Sequence, residues 1–320
     1  MNNDEKINFN KLKHLNLKIT NQKNANLTIF PSFLLLMKIS AKYLPFYLLA
    51  SIPRPILHGL LNLLFILLYP IIFYRKKVVK DNLQKVFPNH TSKKIKEIQK
   101  AFYRQFLKNF EDIIPLLIKN KKAVSKSIVV ENIDLLNELT LLNRPVIIVT
   151  AHYGSWEKAF SALPIFINKP VGLVYTPVKS NYFGDLLLHI RTRFGLNLIT
   201  RYIFKDHIVA HLNQSYFYIM PSDQRPVNPN KSFWTLFLGI KTPLLFGVEK
   251  NAVQYNLPVL YLHVNDMGHQ CHVNFSLICK YGKETEHGFI TKKYAERLEK
   301  QIVDDPTQWL WSHRRWKEIV

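Results

Sequence analysis

The sequence predicts an α/β fold, in which a sheet of short strands is flanked by helices. Short apolar runs rich in β-branched residues alternate with segments whose apolar residues recur at steps of three and four. Alternation of this kind is typical of α/β domains. With 320 residues, the chain can bury a full core in one large domain and still carry a smaller appendage.

The predicted helices are amphipathic segments with recognisable start or stop signals. Thr91 or Ser92 can cap the first of them, and Pro115 falls near its end. Pro164 ends the third helix and Gly195 ends the fourth. The first predicted helix has apolar positions from Ile95 to Ile113, and the others cover 133–142, 157–163, 186–194 and 247–257.

The predicted strands are short apolar runs bounded by turn residues. Residues 145–149 are the clearest case, because β-branched side chains dominate them. Residues 215–220 form another and lead into a polar turn at 221–226. Residues 258–264, a turn at 265–268 and residues 269–279 predict two paired strands. Further strands are predicted at 128–130 and 171–175.

The first 80 residues differ in character from the rest. Residues 1–28 are polar and are expected to form a mobile tail, whereas residues 29–80 are predicted to be a membrane-associated helical segment. No charged residue occurs from Pro55 to Tyr74, about the ~20 residues that span a hydrocarbon core. Prolines within this segment leave a span, a re-entrant segment and a helix in the membrane surface all open, and a buried core helix is the alternative without a membrane. Basic residues follow from Arg75, which predicts that residues 81–320 lie in the cytoplasm.

The chain is strongly basic, with 44 lysines and arginines against 22 acidic residues and a formal charge of +22. Such a surface attracts nucleic acid, anionic lipid head groups or an acidic protein. A nucleic-acid partner is not expected, because the basic residues form no known reading motif. Cys271 and Cys279 fall on one face of a predicted strand, too far apart to bridge, which indicates reduced thiols.

Residues 150–157 carry the main functional signal, since His152 and Glu157 directly follow the strand at 145–149. A histidine on such a turn lies where open α/β sheets place their chemistry. Neutral imidazole can accept a hydroxyl proton, and a nearby carboxylate stabilises the imidazolium. Residues five apart on a regular helix point roughly 140° from each other, at ~100° per residue, so the pair can meet only if the chain turns. Gly154 provides the freedom for that turn.

The spacing of this pair is not decisive alone, because His313 and Glu318 have the same spacing with no strand before them. A structural role is therefore the alternative for His152 and Glu157. Residues 263–272 hold three histidines and Cys271, a composition that also occurs in metal sites. His269 and His272 point to opposite faces of a strand, so a polar hairpin without metal is predicted there.

Several short motifs follow one another in a fixed order from about residue 40 to the C-terminus. The apolar segment closes on the basic stretch 74–83, and the histidine motif follows. The later motifs lie at 175–177, 191–195, 223–224, 237–239 and 308–317. Together they resemble the late acyltransferases of lipid A biosynthesis, the lauroyl/myristoyl transferase family, within the His-x4-Asp/Glu membrane acyltransferases.

The resemblance implies a glycerophosphate-acyltransferase-like sheet flanked by helices, with residues 81–320 as a cytoplasmic acyltransferase domain. It implies transfer of a fatty acyl chain from acyl carrier protein to a hydroxyl of a lipid A precursor, a late, secondary acylation. His152 would be the general base and Glu157 would orient it, with no acyl-enzyme, no metal and no cofactor besides the acyl donor. The enzyme would act at the cytoplasmic face of the inner membrane of a Gram-negative bacterium.

The resemblance also suggests substrate-binding residues, each with a simpler alternative. Arg191 and Arg193 could hold a lipid phosphate or stabilise oxyanion charge, or form a solvated helix face. Asp223 and Gln224 could bind substrate or brace His152, or form a plain turn. The run with Arg314 and Arg315 could contact anionic lipid or the acidic carrier protein, or simply be solvated.

The chain departs from the family pattern at two positions. Ser155 stands where the family commonly has Asn, and Thr176 where Arg is more usual, although Arg225 can compensate for a lost phosphate contact. Two other functions stay open. One is acyl transfer to another lipid, such as a lysophospholipid or an amino-acid-based lipid, and the other is a non-catalytic basic membrane-binding protein.

Overall fold

A computed structural model describes residues 42–69, 74–177, 182–268 and 270–317. The chain divides into two units after Pro45, and all the strands lie in the second unit. The predicted tail at 1–28 lies outside the described residues, as do the beginning of the predicted membrane segment, His269 and Glu318.

The described residues form a mainly parallel sheet of seven strands, which confirms the predicted α/β fold. Its strands are β1 (Ile128–Glu131), β2 (Val146–Thr150), β3 (Val171–Tyr175), β4 (Leu196–Thr200), β5 (Phe217–Pro221), β8 (Val259–Met267) and β9 (Gln270–Cys279). Their spatial order is β1-β9-β8-β2-β5-β3-β4, and β8 and β9 are the antiparallel neighbours. A separate hairpin is made of β6 (Phe233–Phe237) and β7 (Ile240–Leu244).

Helices flank the sheet, and most of the predicted helices are confirmed within a few residues. The N-terminal part contains α1 (Leu44–Ser51), α2 (Arg54–Leu68), α3 (Lys76–Val86), α4 (Ser92–Ile113) and α5 (Lys121–Ser125). The remainder are α6 (Ile133–Thr140), α7 (Trp156–Ala162), α8 (Tyr182–Thr192), α9 (Phe204–Ala210), α10 (Gly247–Tyr255) and α11 (Phe289–Asp304).

The strand β2 lies between β5 and β8, which explains its uniformly apolar sequence: all five of its residues are buried. In the parallel pairing of β2 with β5, Thr150 is the partner of Pro221. The backbone segments that follow β2 and β5 therefore leave the sheet side by side, at its carboxyl edge. The turn that carries His152 and the turn that carries Asp223 meet there.

Helix α4 shows how one element combines core packing with polar function. Thr91 caps it as predicted, since its hydroxyl accepts a hydrogen bond from the backbone N–H of Lys94 at 3.2 Å. Its first half buries Ile95, Ile98 and Phe102, in agreement with the apolar periodicity. Its last turns also bury the polar residues Asn109, Glu111 and Asp112.

The described part of the predicted membrane segment contains α1, α2 and the start of α3. Within the described ranges no single helix has the length and composition of a membrane span, whereas α1 and α2 together do but are bent by 113°. Helix α2 begins after Pro53 and has 15 residues. Its outward face exposes large apolar side chains, among them Ile56, Leu60, Leu63, Leu64, Ile66 and Leu67.

The hairpin of β8 and β9 is longer than predicted, because β8 continues to Met267 and the turn falls at Gly268. Cys271 and Cys279 are both free and buried on β9. The helices and strands that were not predicted are β4, the hairpin of β6 and β7, and helices α3, α5, α9 and α11.

Candidate active site

His152 and Asp223 form the centre of the site. The Nδ1 atom of His152 lies 2.7 Å from Oδ1 of Asp223, at the point where β2 and β5 end. The indole N–H of Trp309 donates to the other carboxylate oxygen of Asp223 at 3.1 Å. Because an ionised carboxylate only accepts hydrogen bonds, Nδ1 carries the proton and the lone pair of the neutral ring is on Nε2.

The turn around His152 is held by the C-terminal segment. The backbone N–H of Gly154 donates to the carbonyl of Gln308, and that of Leu310 donates to the carbonyl of His152, both at 3.1 Å. Gly154 has a φ of 60°, so the chain turns there as predicted. A Cβ atom at this position would lie 3.1 Å from Oε1 of Gln308. The C-terminal motif at 308–317 thus shapes the turn and also provides Trp309.

Glu157 is paired with Arg191 rather than with His152. The Nε and Nη2 atoms of Arg191 donate to the two carboxylate oxygens of Glu157 at 2.8 and 2.5 Å, a bidentate pair. The indole N–H of Trp156 donates to the same carboxylate at 3.3 Å. The expected orientation of His152 by Glu157 is therefore replaced by a bond to Asp223, which reaches Nδ1 from the neighbouring strand.

The pKa values follow from these pairs. Burial disfavours the imidazolium of His152, but the Asp223 carboxylate outweighs burial and the pKa of His152 is raised. Burial works against ionised Asp223 and Glu157 too, yet His152 and Arg191 respectively lower the pKa of each carboxyl. Both carboxylates are therefore charged at neutral pH.

The other predicted substrate-binding residues occupy different surroundings. Arg193 donates to the carbonyls of Leu116 and Lys119, both at 2.7 Å, so it satisfies backbone at the end of a short 3₁₀ turn. Gln224 is half-buried next to Asp223, and Arg314 is exposed.

Arg315 corrects the expectation of a surface contact with lipid or carrier protein. Its side chain is only 2% exposed, and it donates to the carbonyl of Pro243 at 2.7 Å. The buried guanidinium is close enough to the Asp223 carboxylate for the two charges to interact, and burial lowers the pKa of Arg315 to about 10. In this conformation Arg315 does not present its charge to a partner surface.

Two residues that contribute to the site were not predicted from the sequence. Trp309 orients Asp223, and the sequence indicated it only as part of the motif at 308–317. Ser155 is fully buried and its hydroxyl donates to Asp112 at 2.6 Å, a partner 43 residues earlier on α4. In the part of the chain that the structure describes, no group of three or more His, Cys, Asp or Glu residues is arranged to hold a metal ion.

A protein-family model described as bacterial lipid A biosynthesis acyltransferase matches residues 33–318. The chain belongs to this family. The match spans the turn with His152, the Glu157–Arg191 pair and the closing segment, and it confirms the resemblance inferred from the motifs. No curated protein matches the chain. Membership of the lipid A acyltransferases gives the site its reaction type, acyl transfer in lipid A biosynthesis.

Proposed function

We propose that the protein transfers a fatty acyl chain from acyl carrier protein to a hydroxyl of a lipid A precursor, with His152 as the general base. The observation that carries this proposal is the hydrogen bond from Nδ1 of His152 to the buried Asp223. It fixes the tautomer that leaves Nε2 able to accept a proton. Membership of the family supports acyl transfer in lipid A biosynthesis, and the contact with Asp223 supports His152 as the general base.

The proposed reaction proceeds by direct transfer. The acceptor hydroxyl gives its proton to Nε2 of His152 while its oxygen attacks the thioester carbonyl, forming a C–O bond. The C–S bond then breaks, and the imidazolium returns the proton to the departing thiolate. Asp223 stabilises the imidazolium between these steps. Ser155 is an unsuitable nucleophile, because its buried hydroxyl is bound to Asp112, and Cys271 and Cys279 are buried on β9.

The Glu157–Arg191 ion pair holds a guanidinium near His152, with the Glu157 carboxylate beside it. Glu157 engages Nε and Nη2 of Arg191, so Nη1 is the guanidinium nitrogen that can turn towards substrate. Arg191 is close enough to His152 to oppose the rise in its pKa. We assign Arg191 to stabilising the oxyanion or a lipid phosphate, with Glu157 as the residue that orients it.

The surface supports a lipid acceptor and an acidic donor. The exposed apolar face of α2 suits contact with a bilayer, and the +22 charge suits anionic head groups and the acidic carrier protein. Phe46 of α1 packs on Tyr182 and Phe183 of α8, with ring centroids 6.1 and 5.8 Å apart. Since α8 also carries Arg191, the apolar helices adjoin the site. These features support our proposal that the enzyme acts at a membrane surface, which for this family we take to be the cytoplasmic face of the inner membrane.

The variant His152→Ala tests the base. With acyl-loaded carrier protein and a lipid A precursor as substrates, its kcat should fall by at least ~10²-fold, because a positioned base contributes about 10²–10⁴-fold. His90→Ala, at an exposed position away from the site, is the matched control and should keep wild-type activity. Full transfer by a folded, membrane-bound His152→Ala protein would contradict the mechanism.

The acceptor is tested separately by mass spectrometry of lipid A from a deletion strain. The proposal expects lipid A that lacks one secondary acyl chain, restored by the wild-type gene and not by His152→Ala. An unchanged acyl count would instead favour a lysophospholipid or an amino-acid-based lipid as the acceptor.

A further inference from the structure

A buried cluster of charged residues joins helix α2 to the catalytic turn. At its centre is Asp112, near the end of α4, whose side chain is 4% exposed. The Asp112 carboxylate accepts hydrogen bonds from Nη2 of Arg54 at 2.9 Å and from the hydroxyl of Ser155 at 2.6 Å. Two lysines lie further from it, with Nζ of Lys108 at 3.5 Å and Nζ of Lys158 at 3.7 Å. A second carboxylate, Asp266, contacts the Ser155 hydroxyl at 2.8 Å and Nζ of Lys108 at 3.0 Å.

On one side, the cluster holds the first turns of α2. Arg54 also donates through Nε to Glu111 at 3.1 Å, so it bridges neighbouring carboxylates of α4. His58, one helical turn further along α2, contacts the other oxygen of Glu111 at 2.8 Å. The polar face of α2 is thereby tied to α4, while its opposite face exposes Leu63 and other apolar residues.

On the other side, the cluster holds the turn that carries the catalytic groups. Ser155 lies three residues after His152 and two before Glu157, and Lys158 directly follows Glu157. Asp112 therefore contacts one residue between His152 and Glu157 and one residue directly after Glu157. Burial disfavours an ionised Asp112, but Lys158, Lys108, Ser155 and Arg54 together lower its pKa, so the carboxylate keeps its charge.

Stability alone gives little reason for such a cluster. Desolvation of buried ion pairs offsets much of their attraction, and apolar replacements are often as stable. None of these residues has a part in the reaction scheme. Their arrangement does, however, provide a continuous set of contacts from the apolar-faced helix to the base.

We propose that Arg54 and Asp112 are positioning residues, which couple the packing of α2 against α4 to the geometry of the His152–Glu157 turn. Helix α2 would then be needed for turnover itself, and not for membrane attachment alone. The inference rests on the proposed acyl transfer, and it names no residue that contacts substrate.

The test compares Arg54→Gln and Arg54→Lys with a control, Lys300→Gln, which removes an exposed ion pair with Asp304 on α11. Transfer is measured in detergent micelles, so that membrane attachment does not limit the rate. Arg54→Gln should lower kcat roughly 10- to 100-fold, because small displacements of a catalytic group are that costly, while KM for the lipid acceptor stays unchanged. Arg54→Lys should recover part of the loss, and Lys300→Gln should have no effect.

A second measurement is independent of activity. Hydrogen exchange of the backbone amides at 151–158 should be faster in Arg54→Gln than in wild type and unchanged in Lys300→Gln. Ser155→Ala breaks the cluster from the other side, and the double variant Arg54→Gln/Ser155→Ala should be less than additive in kcat, because both act through Asp112. The Arg54 and Ser155 variants test the inference even if a direct substitution of the central carboxylate, Asp112→Asn, prevents folding.

Wild-type kcat in Arg54→Gln would overturn the inference, as would a change confined to KM or unchanged exchange at 151–158. Fully additive effects of the two substitutions would overturn it as well. Failure of the proposed function has a different signature. In that case the wild-type protein itself would transfer no acyl chain, while the exchange measurement would still report on the coupling.

Discussion

The protonation state of His152 is set by the groups around its ring. Burial and Arg191 disfavour the imidazolium, whereas Asp223 and Glu157 favour it, and the balance is a raised pKa. Glu157 is itself paired with Arg191 through two hydrogen bonds. Asp223 is therefore the group whose charge chiefly decides how His152 titrates.

Replacing Asp223 with Asn should change the pH dependence of the enzyme as well as its rate. A general base must be neutral, so wild-type activity is lost as pH falls through the pKa of His152, which lies above the ordinary 6.5. Without the Asp223 charge that pKa drops, and the acid limb of kcat/KM should move to lower pH. The plateau should fall roughly 10²–10⁴-fold, because an amide no longer fixes the basic tautomer or stabilises the imidazolium.

The matched control for this variant is Asp81→Asn, which removes the partner of Lys77 in an exposed pair on α3. Its pH profile should coincide with that of the wild type. An acid limb that stays in place in Asp223→Asn would show that Asp223 does not set the titration of His152.

Which carboxylate would hold His152 could not be predicted from the motif. Glu157 belongs to the same motif, whereas Asp223 lies 71 residues further along the chain. The decisive information is the order of strands, because β5 lies between β2 and β3 although it comes after β4. Once Thr150 and Pro221 are known to be partners, each functional residue lies two positions beyond its strand.

Arg191 lies in the last turn of α8, whereas Arg193 lies one residue beyond the end of that helix, and the two side chains have different partners. Arg191 faces Glu157 and the site, and Arg193 faces the carbonyls of Leu116 and Lys119. The contacts of Arg315 had no signal in the sequence, since its burial depends on tertiary packing against the β6–β7 hairpin.

Among the helices and strands, those with strong local signals were predicted and those that depend on tertiary contacts were not. Helix α4 has a cap, a long apolar period and a terminal proline, and its bounds were predicted well. The β6–β7 hairpin turns at Leu238 and Gly239, which both have positive φ, 53° and 74°. Such turns usually carry Asn-Gly or Asp-Gly, so a leucine there gives no signal. The backbone N–H of Leu238 is instead held by Glu299 of α11.

The turn between β2 and α7 depends on Gly154 in a way that can be measured. Gly154→Ala places a side chain at a φ of 60° and a Cβ atom 3.1 Å from Oε1 of Gln308. The left-handed conformation alone costs roughly 1–2 kcal/mol for a residue with a Cβ. Both Tm in thermal unfolding and kcat should therefore fall, because the same turn positions His152.

Gly59→Ala is the corresponding control within α2. A Cβ atom there meets no neighbour within 4 Å, and alanine in a helix is favoured over glycine by about 0.5–1 kcal/mol. Its Tm should stay the same or rise, with normal kcat. Equal Tm and kcat for Gly154→Ala and the wild type would show that the turn tolerates a side chain, contrary to the structure.

At the scale of the whole molecule, the notable surface is the exposed apolar face of α1 and α2. The apolar segment was recognised from the sequence, and Pro53 and Pro55 indicated a break in it. The bend of 113° between α1 and α2 was not predictable, because it depends on how α2 packs against α4 through Arg54, His58 and Phe65.

Membrane attachment can be tested on this face with the double variant Leu63→Gln/Leu67→Gln. These side chains are one helical turn apart and are 55% and 60% exposed, so the folded protein should lose no core packing and keep its Tm. Fully burying a leucine in an apolar phase is worth roughly 1.5–3 kcal/mol, so binding to vesicles containing phosphatidylglycerol should weaken at least ~10-fold.

The control variant is Leu141→Gln, at an 82% exposed position after α6, which should bind the vesicles as the wild type does. Added salt should weaken wild-type binding, since part of it is electrostatic, and should leave the double variant with little residual attachment. Unchanged vesicle binding by the double variant would show that the outward face of α2 is not the surface that meets the bilayer.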